Sequence, residues 1–70
     1  MREFSVVVER DGEGLYVASV PALPGCHTQA KSLDKVMERI KEAIELYLEV
    51  EGEGVEPLEF VGLQRVAVSR

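Results

Sequence analysis

The chain has one cysteine and one histidine, and they are adjacent: Cys26 and His27. A thiol beside an imidazole could supply a nucleophile and its general base. In an extended segment, however, successive side chains point to opposite faces, so neighbours do not meet as a dyad. The pair reads as a small buried thiol next to an exposed imidazole. His27 also lacks a second histidine or cysteine with which to complete a zinc set. Metal-assisted carboxylate chemistry would need acids from several elements converging on one site. Glu3 and Glu9 fall near the ends of one extended segment and Glu59 lies in another, with no pattern that joins them. Gly12 and Gly14, like Gly52 and Gly54, read as turn residues, because neither pair sits between a strand and a helix at phosphate-binding spacing. The expectation is a chain with no catalytic residue, no metal ligand and no cofactor, and therefore not an enzyme.

The charged residues are more informative. Thirteen Asp and Glu against eight Lys and Arg give a net charge of -5. Seven acids, from Glu42 to Glu59, occupy residues 42 to 64 without a single Lys or Arg among them. This balance argues against direct binding to nucleic-acid phosphates, which needs a basic face. Several of the acids crowd the C-terminal half of a helix, where the macrodipole disfavours each by roughly 0.3 kcal/mol or more. A helix tuned only for stability would reverse that order. The functional reading is an acidic surface facing a basic partner, with Glu45, Glu49 and Glu53 as contacts. The plain reading is a solvated face that keeps a small protein soluble.

The elements that position these residues follow from periodicity. Arg2 to Arg10 alternates as a strand, Asp11-Gly12-Glu13-Gly14 is a turn, and Leu15 to Val20 is a second strand. With Asp11-Gly12 as a two-residue turn, Val8 would oppose Leu15 and Val6 would oppose Val17. Phe4, Val6, Val8, Leu15 and Val17 would then form the core face. The other face, with Val7, Tyr16, Ala18 and Val20, is too apolar to be left wholly in water. Pro21, Pro24 and Gly25 break the pattern and bend the chain, and Cys26 to Ala30 is long enough for a third strand returning along the second. That loop is expected to be structural, through Pro21, Pro24, Gly25 and Cys26, with Leu23 as a possible partner contact. Ser32 reads as an N-cap, and Leu33, Val36, Met37, Ile40, Ala43, Ile44, Tyr47 and Leu48 recur at helical spacing to a stop at Gly52 or Gly54. Val55 to Pro57 is a linker, and Leu58 to Val68 is a last extended stretch that Gly62 interrupts with a bulge or a break.

Seventy residues with 46% hydrophobic and 30% charged side chains make one small globular domain, residues 1–70, with no membrane span or signal peptide. A domain of this size buries only roughly 60% of its unfolded surface and is marginal alone. A single cysteine forbids an intrachain disulfide, and no zinc set is present, so self-association is the expected remedy. One cysteine also suits the reducing cytoplasm.

The run Pro21-Ala22-Leu23-Pro24-Gly25-Cys26-His27-Thr28-Gln29-Ala30 resembles the loop and third strand of the HicB family of antitoxins. Ser32-Leu33 and the helix tail Glu42-Ala43-Ile44-Glu45-Leu46-Tyr47-Leu48-Glu49 resemble the same family, so the likeness covers residues 4 to 51. It implies an α+β fold, a two-layer βββαβ arrangement with one amphipathic helix on a small sheet, similar to part of an RNase H domain without its catalytic acids. It further implies binding and neutralisation of HicA, a small basic RNA-cleaving toxin. Many members add a C-terminal DNA-binding module, and this chain is similar to a short form without it. Two alternatives remain open: a homo-oligomeric interaction module with no toxin, and a degenerate RNase H-like enzyme.

Overall fold

The computed structural model describes residues 2–52 and 58–69. Three strands and a helix follow in order: β1 (Val7–Arg10), β2 (Tyr16–Ser19), β3 (His27–Ala30) and α1 (Leu33–Glu51). The strands form one antiparallel sheet in the order β1-β2-β3. This is the α+β arrangement expected from the sequence, three strands and then a helix on one face of a small sheet.

The hairpin register differs from the expected one. Val8 opposes Ala18 and Arg10 opposes Tyr16. The turn is wider than two residues because Asp11 closes it with its side chain. Its Oδ1 accepts from the Glu13 and Leu15 amides, both at 2.9 Å, while the Asp11 amide donates to Leu15 O at 2.9 Å. Gly14, at φ 87°, rather than Gly12, takes the left-handed conformation. The pairing shifts by an odd number of residues, and an odd shift turns every β2 side chain to the opposite face. Ala18 and Val20 therefore enter the core, while Leu15 and Val17 lie on the uncovered side of the sheet. The apolar second face of β2 noted in the sequence is the one that α1 covers.

The β2–β3 connection consists of two successive turns. The Leu23 amide donates to Val20 O and the Cys26 amide donates to Leu23 O, each at 3.0 Å. Pro21 and Pro24 occupy positions whose missing N–H is not needed, and Gly25 sits at φ 83° as the third residue of a type II turn. Leu23, at the junction, is swung inward. Helix α1 starts at Ser32, whose Oγ accepts from the Lys35 amide at 3.1 Å, and stops at Gly52, at φ 66°, whose N–H donates to Leu48 O.

The core consists of Ala18, Val20, Ala22, Leu23, Cys26, Ala30, Val36 and Ile40. Among the described residues, only Leu23, Ile40 and Val36 are large and fully buried. The helix packs on β2 and β3 and not on β1. Three strands at about 4.8 Å spacing span about 10 Å between outer axes, so a helix about 10–12 Å across that sits over β2 and β3 leaves the β1 side uncovered. The expected last strand has no ladder. Residues 58–69 are exposed, anchored at their start by a 2.7 Å bond from the Leu58 amide to Ala22 O. A strand needs a neighbour for its backbone groups, and this stretch has none among the described residues. The expected linker, Val55 to Pro57, lies outside the described residues.

Candidate partner-binding surfaces

The Cys26–His27 step behaves as strand alternation requires: Cys26 is in the core and His27 is exposed. Burial pushes the Cys26 thiol up, which favours the unreactive protonated form. Among the described residues, no three His, Cys, Asp or Glu side chains gather as metal ligands would. No described helix is long and apolar enough to cross a membrane.

The loop residues divide by exposure. Pro24 and Gly25 are exposed, Pro21 is half-buried, and Cys26 is buried. Leu23 corrects an expectation. It is 0% exposed, so its place is in packing, and as the structure stands it offers no surface to a partner. The two successive turns reverse the chain around Leu23 and bury it.

Three surfaces among the described residues bear on a partner. The first is acidic. Glu38, Glu42, Glu45 and Glu49 follow at steps of four, three and four residues, so they share one stripe of α1, and all four are exposed. Glu38 meets Lys35 at 3.5 Å; the last turn of the helix holds no basic residue. Glu53 and Glu56 lie outside the described residues. The second is a shallow hollow of about 210 Å³ where Gly25, Cys26 and His27 meet Tyr47, with the exposed Leu46 and Val50 at its side. The third is larger. Beside β1, Phe4 and Val6 face Met37, Ile40, Ile44 and Leu48 across an apolar groove of about 700 Å³. Arg2, Lys41 and Glu45 also line it, and the Arg2 guanidinium stacks 5.3 Å from the Phe4 ring. The sequence named all six apolar residues, as strand and helix core positions, but did not join them into a groove. The groove exists because α1 sits over β2 and β3, a placement that residue types alone do not reveal.

Comparison with known proteins agrees with this anatomy. Over residues 4–65 the chain matches the family model of the HicB_like antitoxin of bacterial toxin-antitoxin systems. It is 64% identical over 66 residues to a UPF0150 protein of Archaeoglobus fulgidus, covering 94% of each chain. A UPF0150 protein of Synechocystis is 45% identical over 67 residues, with 96% of each chain covered. One from Thermotoga maritima is 41% identical over 66 residues, 93% of this chain and 88% of that one. The loop, the three strands and the acidic helix all fall within the matched span, and the chain belongs to the HicB-like antitoxin family.

Proposed function

We propose that this antitoxin neutralises a small basic HicA-type RNA-cleaving toxin in the cytoplasm by covering its RNA-binding and active face. Family membership supports an antitoxin role, and the outward stripe of Glu38, Glu42, Glu45 and Glu49 supports a basic partner. Carboxylates on that stripe compete with RNA phosphates for the toxin's cationic surface and steer its approach. Glu49, in the last turn of α1, lies near the negative end of the helix dipole and costs the fold some stability. Binding a cation there offsets that cost. The chain itself does no chemistry in this reading, and its three strands and helix act as an RNase H-like scaffold without catalytic acids. It also associates with a second copy of itself, because three large buried side chains are a thin core for a free-standing domain.

The test is kinetic. Association with the cognate basic toxin is measured at low and high salt for the parent and for the variant carrying Glu45→Gln, Glu49→Gln and Glu53→Gln. The variant should associate more slowly and show a flatter salt dependence, since charges at an interface rim act mainly on the association rate. Equal rates and equal slopes would show that the acidic stripe is solvated surface only. Cleavage of RNA by the antitoxin alone with Mg²⁺, lost on Glu3→Gln, Glu9→Gln or Glu59→Gln, would overturn the non-enzymatic part.

A further inference from the structure

Residues 58–69 carry Leu58, Phe60, Val61, Leu63, Val66 and Val68, all exposed, with Val61 at 91% and Val66 at 81%. An apolar segment of this length in open water lacks the neighbour that a strand would need. The rest of the molecule holds the matching vacancy. The two outer edges of the sheet are not equivalent. On β3, Gln29 O is taken at 3.1 Å by the Arg39 guanidinium, which blocks that edge. On β1, the Asp11 amide bonds to Leu15 O, and antiparallel alternation then aims the amides of Val8 and Arg10 outward. The apolar groove of about 700 Å³ runs beside this open edge.

The exposed area is large enough for a standard interface between two copies. A compact monomer of 7.8 kDa exposes about 4,400 Å² by the scaling of area with mass, whereas this chain exposes 5964 Å². The excess is about twice the roughly 800 Å² that each partner loses in a standard interface. The radius of gyration, 13.7 Å, likewise exceeds the value of about 11 Å for a compact 70-residue domain. Among the described residues, each copy therefore has an unpaired apolar arm and an open sheet edge beside an apolar groove.

We propose that residues 58–69 are exchanged between two copies of this chain, each arm pairing along the other copy's β1 and filling the groove between β1 and α1. A two-fold exchange satisfies both vacancies at once and leaves no free arm to propagate a fibre. At about 3.3 Å per residue the arm is long enough to run the whole of that edge. Its start beside Ala22 places it at the end of the sheet where β1 begins. The inference rests on the self-association proposed above and names the segment responsible.

The test uses the full chain, by sedimentation and by amide hydrogen exchange at micromolar and millimolar concentration. The parent should be a dimer at the higher concentration. Residues 58–69 and the outer β1 amides should be protected together and lose protection together on dilution. Phe60→Asp and Val66→Pro, both at exposed positions, should each weaken dimerisation by about tenfold or more while helical circular dichroism is unchanged. A dimer that both variants leave intact overturns the arm exchange but keeps self-association. A monomer at every concentration overturns both. An arm protected within that monomer shows that it folds on its own β1 edge, and protection that arises only on adding a basic protein assigns it to the toxin interface; either result also overturns the exchange.

Discussion

Replacing Gly25 by alanine isolates the conformational demand of the β2–β3 loop. Gly25 lies at φ 83°, and a Cβ built there meets nothing within 4 Å. Steric clash is thus absent and only backbone strain remains. Placing a non-glycine residue in the left-handed region costs about 1–2 kcal/mol. The loss of unfolded-chain freedom on Gly→Ala returns about 0.4–1 kcal/mol. The net expectation is destabilisation on the order of 1 kcal/mol. For a 70-residue chain the unfolding entropy is about 150 cal/mol/K, so the midpoint should fall by about 7 °C. The assay is thermal unfolding by circular dichroism at matched concentration, because self-association makes the midpoint concentration-dependent. Gly12→Ala is the control. Gly12 has no positive φ and equally open surroundings, so it should melt with the parent or slightly above it. A Gly25→Ala chain that melts with the Gly12→Ala control would refute the type II turn as a conformational requirement.

Three other outcomes follow from the packing. Ser32→Ala removes the acceptor of the Lys35 amide and should cost about 1 kcal/mol in urea unfolding; a loss indistinguishable from zero would mean that water caps the helix equally well. Leu23→Ala empties one of the three large buried positions and should cost about 2–5 kcal/mol, much of the stability of so small a domain; a tolerant response would return Leu23 to the list of surface residues. Burial raises the Cys26 thiol from its ordinary 9.0, so the unfolded chain gives up this proton first as pH rises. That contribution is whole below about pH 9 and is lost as pH climbs through the folded value. The parent should therefore lose stability above pH 9 more steeply than Cys26→Ala, and parallel pH profiles would contradict a buried thiol.

Much of the fold was written in local pattern. The β2–β3 turns needed only Pro21, Pro24 and Gly25, whose backbone preferences are intrinsic. Helix α1 needed Ser32 at its start, an apolar period of three and four, and Gly52 at its stop. Glu45 and Glu49 were legible as helix surface positions from the charge pattern, whereas Glu38, on the same stripe, was not singled out and Glu53 lies outside the described residues. Three matters were decided only by tertiary structure. The hairpin register depended on the Asp11 carboxylate gathering two amides, which composition does not distinguish from a two-residue Asp-Gly turn. Because the period of a strand is two, that local choice exchanged the buried and open faces of β2. The burial of Leu23 came from two turns closing in succession around it. The groove beside β1 and the unpaired arm from Leu58 arise from width and pairing, properties of neighbours rather than of residues. Propensity specifies what a segment can become, but a strand is completed by its partner, and a face is buried only where another element is wide enough to cover it.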